Sequence, residues 1–159
     1  MDAASEKRVL EQLEIEDIKR LKYRYMRCMM LGETEAMRDL LTPDVKAEYS
    51  DGKYSYEGAD AVLAFLADSH DEGSGLISMW QLGHPEIEIT GEASAKGIWY
   101  FTHKAIHKPS GTNIEMAAFY HDEYAKQDDG WRIAYTGYRR ILDQNWNSAD
   151  LPSTRIEVG

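Results

Sequence analysis

The sequence predicts an α+β fold in which a strongly curved antiparallel sheet wraps around N-terminal helices to form a cone. Three observations carry this. Helix-period segments come first and strand-period segments dominate the end of the chain, the segregation expected of α+β rather than α/β proteins. Three long strand segments, from about Ala93 to His107, Thr112 to Gln127 and Gly130 to Asp143, follow one another across the short breaks Lys108–Gly111 and Asp128–Gly130. Strands usually run about 5–6 residues, so segments this long must twist and curl around something. They also carry Trp99, Tyr100, Phe101, His103, Phe119, Tyr120, His121, Tyr124, Trp131, Tyr135, Tyr138 and Arg140, side chains that suit a lined cavity as well as a solid core.

Each element has its own local cause. From Ser5 to Leu31 the apolar positions Val9, Leu10, Leu13, Ile18, Leu21, Tyr25, Cys28 and Met29 recur at steps of three and four, which predicts an amphipathic helix, broken near Glu14. Glu16, Asp17, Lys19, Arg20, Lys22, Arg24 and Arg27 form its expected solvated stripe, and Gly32 ends it. Thr34 is the expected N-cap of a short helix to Leu41, stopped by Thr42-Pro43-Asp44. Val45–Tyr49 and Tyr54–Glu57 read as a hairpin around Ser50-Asp51-Gly52-Lys53, where Asp-Gly suits positive φ. A helix from Gly58 to about Ser69 turns Val62, Leu63, Phe65 and Leu66 inward. The segment 71–75 reads as a loop, and two strands follow near Leu76–Leu82 and Pro85–Thr90. A single domain over residues 1–143 is expected, with 144–159 a C-terminal arm or tail.

Composition removes several function classes. Eighteen basic against 28 acidic side chains give a formal charge of −10, a surface that repels phosphate backbones, so no nucleic-acid partner is expected. No apolar run approaches the ~20 residues of a membrane span, and no signal-peptide pattern is visible, so the expectation is a cytoplasmic protein without a membrane partner. The single Cys28 excludes an intrachain disulfide and a cysteine-rich zinc site. The five histidines show no helical ligand spacing, and neither phosphate-binding glycine motif nor nucleophile elbow occurs. No metal is expected.

The run Leu21–Cys28, the hairpin Tyr49–Lys53 and the strand Gly97–Tyr100 together resemble the SnoaL-like branch of the nuclear transport factor 2-like superfamily. So do Ala118-Phe119-Tyr120, Gly130–Ile133 and Thr136–Ile141. These pieces span about residues 15 to 143, and within the superfamily the chain is most similar to the bile-acid 7α-dehydratases and scytalone dehydratases. The resemblance implies the same α+β cone, a cofactor-free dehydratase (lyase) or isomerase using acid–base chemistry, and a small hydrophobic carbonyl substrate, polycyclic skeletons included. It also implies a homo-oligomer, dimer or trimer. Strand faces bearing Tyr120, Tyr124 and Trp131 are the expected interface.

In such enzymes a base removes a proton α to a carbonyl while hydroxyl donors hold the enolate oxygen. By resemblance Tyr25 and Tyr49 are pocket tyrosines and Arg140 a pocket arginine. The dyad positions depart from the pattern: the helix carboxylate falls at Met30, or one away at Leu31, and the histidine falls at Trp80. His103 stands where relatives carry a pocket acid or histidine. Alternation places Gly97, Trp99, Phe101 and His103 on one strand face. If that face lines the cavity, His103 is the candidate base, with Tyr25 or Tyr49 as acid or oxyanion donor. Trp80, Trp99, Phe119, Tyr138 and Arg140 are the expected substrate-binding residues, with Trp80 a stacking wall. His84 reads as a turn residue, His121 as facing solvent or an interface, and His70 and His107 as surface. The loss of the dyad leaves a second reading, a non-catalytic small-molecule-binding protein of the same fold. A third has the cone as an assembly module with a filled core.

Overall fold

A computed structural model describes residues 2–69 and 72–157. Helix α1, Ala3–Met30, runs without the expected break. Asp2 caps its start by accepting from the Ser5 amide, which satisfies one orphan donor. Glu14, where the break was expected, instead projects its carboxylate to Lys126 and the Trp131 indole. The helix ends at Leu31, and Gly32, at φ +68°, turns the chain away. Ile18, Leu21, Tyr25, Cys28 and Met29 are buried, as their spacing predicts, and Met26 joins them, whereas Val9, Leu10 and Leu13 of the expected apolar stripe are exposed. Lys22 is a correction: it belongs to the buried face, fully enclosed and paired with Asp122 at 2.8 Å.

Helix α2, Thr34–Met37, is shorter than expected and tightens into a 3-10 turn at Arg38–Leu40. Thr34 is the first helical residue and does not cap; Glu33 precedes it with no side-chain bond. Strand β1 already starts at Leu41 and runs to Tyr49. It absorbs Pro43 through a register shift between Leu41 and Lys46, where the missing N–H costs no ladder bond. Ser50, Asp51 and Gly52, all at positive φ, turn the chain into β2, Tyr54–Glu57. Helix α3, Ala59–Ser69, buries Val62, Leu63 and Leu66.

The two strands expected between residues 76 and 90 are one strand, β3, Leu76–Gly91. His84, at φ +50°, sits where the register with the next strand shifts between Gly83 and Glu86. Gly83-His84-Pro85 is thus a bulge inside one strand, and this corrects the turn reading of His84. Strands β4 (Ser94–His107), β5 (Thr112–Gln127) and β6 (Gly130–Asn147) follow close to the expected limits, with β6 continuing past Asp143.

The six strands form one open sheet, order β2-β1-β6-β5-β4-β3, antiparallel except for the parallel β1–β6 pair. The fold is the expected α+β arrangement of N-terminal helices against a curved sheet. Its inner face carries Val45, Ala47, Tyr49, Trp99, Phe101, Tyr120, Tyr124, Ile133 and Tyr138, all buried. Tyr120, Tyr124 and Trp131 are only 1%, 2% and 5% exposed within the single chain. The interface expected from their exposure therefore loses its basis, because alternation turns all three toward α1 rather than outward. Among the described residues no helix is long and apolar enough to cross a membrane.

Candidate functional site

The inner face of β4 is buried in sequence: Gly97, Trp99, Phe101, and then His103, where the row reaches a cavity and becomes half-buried. The cavity measures about 160 Å³ and opens between the inner sheet, the β1–β2 hairpin and α3. On β3, the register partner of His103 is Trp80. Its indole stacks on the imidazole with centroids 3.9 Å apart and planes 18° from parallel. Ser78, two residues earlier on the same face of β3, brings its Oγ to 2.5 Å from His103 Nε2. Trp80, Ser78 and His103 all line the cavity.

Tyr49 closes the other side. Its hydroxyl lies 2.9 Å from that of Tyr25, which stands behind it in the core. Burial pushes both phenols well above their ordinary value near 10, so both are neutral hydrogen-bond donors at any physiological pH. Either hydroxyl can donate to the other, and Tyr49 is the member that lines the cavity. Tyr138 also lines it, with its hydroxyl 2.8 Å from Ser50 Oγ and its ring edge-on to Phe101. Phe65 from α3 stacks with Tyr49, Tyr54 and Tyr56 to complete an aromatic wall.

The remaining expected site residues lie elsewhere. Tyr25 touches the cavity only through Tyr49. Trp99 is fully buried deeper in the core, donating from its indole to Tyr124 at 2.9 Å. Phe119 faces the outer side of the sheet, edge-on to Tyr100 at 5.6 Å. Arg140 follows Tyr138 on the same side but stays at the rim, where Asp51 takes its backbone N–H and Nε and Asp143 takes Nη1. Those bonds hold the Asp51 carboxyl below the usual carboxylate range. Asp51 thus does more than shape its turn: it ties the hairpin to β6.

Met30 and Trp80, the two positions where the resemblance places an acid–base dyad, do meet: the Trp80 backbone N–H points at Met30 Sδ, 3.4 Å away. The Trp80 indole N–H is buried and has no hydrogen-bond partner among the described residues. His121 is exposed on the outer face, His84 packs against Tyr100, and His107 bonds Ser110 near a loop. His70 lies outside the described residues. No group of three metal-binding side chains occurs among the described residues.

Two features were missed from the sequence. Ser78 shares a strand face with Trp80, so alternation would have brought it to His103 had both been placed inside. The second is a buried network beneath the cavity floor. Asp122 Oδ2 accepts from Lys22 and, at 2.8 Å, from the Tyr124 hydroxyl, and Lys22 Nζ sits 3.8 Å from the Tyr120 ring centre. Tyr120 itself lines the cavity. Desolvation pulls the Lys22 amine below its ordinary value and Asp122 opposes that pull.

Comparison with known proteins places this geometry. The SnoaL-like domain family model matches residues 11–137. The chain superposes on a provisionally assigned scytalone dehydratase from Novosphingobium aromaticivorans with a TM-score of 0.77 at 16% identity, covering 86% of this chain and 90% of that one. A hexachlorocyclohexane dehydrochlorinase from Novosphingobium barchaimii gives 0.72 at 15% identity, covering 87% and 92%. An NTF2-like protein with a cystatin-like fold, also from N. aromaticivorans, gives 0.68 at 20%, covering 87% of each chain. At such identities the superpositions speak for the fold.

Proposed function

This chain belongs to the SnoaL-like domain family, and we propose that it is a cofactor-free lyase or isomerase, dehydratase-like, acting on a small hydrophobic carbonyl compound. The observation that carries this reading is a base candidate and neutral hydroxyl donors on the walls of one apolar cavity. Two of the structural relatives are named for eliminations, a dehydratase and a dehydrochlorinase.

The roles follow from position. His103 Nε2 accepts the proton α to the carbonyl; Ser78, bonded to the same nitrogen, keeps it facing inward. The carbonyl oxygen, charged as the enolate forms, accepts from Tyr49, whose hydroxyl Tyr25 supports from behind. The β C–O bond then breaks, the imidazolium returns its proton to the departing hydroxide, and water leaves. In the isomerase variant the same proton returns to a different carbon. Trp80 holds the imidazole plane and forms the stacking wall, and Tyr138 lines the cavity beside Tyr49.

A second reading, binding without turnover, is favoured by one observation. Met30 and Trp80 fill the dyad positions with a thioether and an indole, neither of which serves as an acid–base group at neutral pH, and the Trp80 backbone N–H is taken up by Met30 Sδ. A panel of β-hydroxy ketones, followed by enone absorbance, separates the two. Turnover lost in His103→Ala with the thermal midpoint held supports the first; full turnover in that variant refutes His103 as base. Binding without enone formation by the wild-type protein supports the second.

A further inference from the structure

We infer that the cavity accepts an uncharged, planar, one-ring molecule bearing a single ring carbonyl or hydroxyl. This rests on the site assignment above and narrows the polycyclic skeletons that the resemblance implied. Size comes first. A cavity of about 160 Å³ is close to the ~150 Å³ apolar cavity known to hold a benzene ring, and well below the ~300–1,000 Å³ of pockets for drug-sized ligands. One six-membered ring with a substituent fits within it, whereas a second fused ring would have to extend through the open side.

Shape comes next. One wall is the Trp80 indole with the imidazole of His103 nearly parallel to it. Another is Phe65, backed by Tyr49 and Tyr54 at 20° and 28° from its plane. Flat aromatic walls favour a flat ring, which keeps stacking contact where a puckered ring loses it. Charge completes the selection. No Asp, Glu, Lys or Arg is among the described residues lining the cavity, and the guanidinium of Arg140 is engaged by Asp51 and Asp143. Among the described lining residues a carboxylate would find no lysine or arginine to offset its desolvation. The polar groups that do face the space, Ser78, His103, Tyr49 and Tyr138, suit one neutral oxygen.

Equilibrium binding tests this without requiring turnover. Titration calorimetry on the wild-type protein would compare 2-cyclohexenone and phenol (one ring, neutral), benzoate (one ring, anionic), 2-tetralone (two rings) and progesterone (four rings). The one-ring neutral probes are expected to bind at least tenfold more tightly than the other three. Ser78→Leu, which fills the space, is expected to remove that binding while the circular dichroism spectrum is kept. Phe65→Ala is expected to raise the affinity for 2-tetralone at least tenfold. Equal or tighter binding of progesterone, 2-tetralone or benzoate by the wild-type protein overturns the inference, as does absence of binding by every probe. One-ring binding with no chemistry on any ketone would leave this inference standing and sink the catalytic reading alone.

Discussion

Replacing Asp122 with Asn should destabilise the protein far more than a typical surface change, because it strands a cation in the core. Lys22 and Asp122 are both fully buried and 2.8 Å apart, so neither has water to fall back on. Removing one partner of such a pair costs about 3–5 kcal/mol. At roughly 2–4 °C per kcal/mol for a domain of this size, the midpoint should fall by about 6–20 °C. The amine can escape part of the cost by losing its proton. Burial already lowers its pKa, and Asp122 is what resists. With the folded pKa depressed, the unfolded chain binds more protons, so stability rises with pH toward the ordinary lysine value. The Asp122→Asn defect should accordingly shrink between pH 7 and pH 9. Lys22→Met combined with Asp122→Asn removes the charge and keeps an acceptor for the Tyr124 hydroxyl. It should recover most of the loss, since hydrophobic replacement of a buried pair is often neutral or better. Thermal unfolding followed by circular dichroism at several pH values measures wild type, Asp122→Asn, Lys22→Met and the double variant. An Asp122→Asn midpoint within 2 °C of wild type (far below the range above), or a double variant as weak as the two single losses added, would refute this argument.

Three further outcomes follow from the same geometry. A Cβ on Gly137 would lie 2.7 Å from the Tyr135 hydroxyl and 2.9 Å from the Glu48 carbonyl oxygen. Tyr135 can swing but β1 cannot, so Gly137→Ala should cost roughly 1–3 kcal/mol in urea unfolding; an unchanged midpoint contradicts the close β1–β6 approach. Tyr25, Tyr49, Tyr120 and Tyr124 are held well above 10 chiefly by burial, and burial with Glu48 takes Tyr135 to about 12. The unfolded chain loses these phenolic protons first, so stability is intact below pH 10 and falls above it. Absorbance at 295 nm should therefore show fewer than the ten tyrosines ionising before the fold is lost, and ten phenolates in a protein with native circular dichroism would refute it. Tyr49→Phe should lower kcat by about 100-fold with KM little changed, as for loss of an oxyanion donor; equal loss in ligand binding would make Tyr49 a binding residue.

The sheet was legible because its long strands alternate cleanly and are bounded by Gly, Pro and Asp turns. The Thr112–Gln127 strand was readable to its ends for that reason. Where reading failed, tertiary contacts overrode local signals. Glu14 looked like a break in the apolar stripe, yet Lys126 and Trp131, more than a hundred residues away, take up its carboxylate. Gly83-His84-Pro85 looked like a turn, yet pairing with β4 on both sides converts it to a bulge. Lys22 looked solvated because its partner Asp122 lies on a distant strand, which no helical period reveals. In the site, alternation sorted Trp99, Phe101 and His103 from Tyr100. It could not say how deep each would sit, so Trp99 and His103 looked alike. Arg140 looked available for a ligand because the pairing that engages it depends on the exact fold of the hairpin around Asp51.

The account turns on whether His103 removes a proton from a ketone held in this cavity, and hydrogen exchange reads that step directly. 2-Cyclohexenone in deuterium oxide, whose sp3 carbon beside the carbonyl carries the exchangeable α-protons, would be followed by proton NMR with catalytic amounts of the protein. Loss of the α-proton signal well above the buffer rate is predicted. His103→Gln should slow that exchange by about 100-fold or more, the scale of general acid–base catalysis, while still binding one-ring ligands. Equal exchange by wild type and His103→Gln, or no exchange above buffer from a ketone shown to be bound, would contradict it.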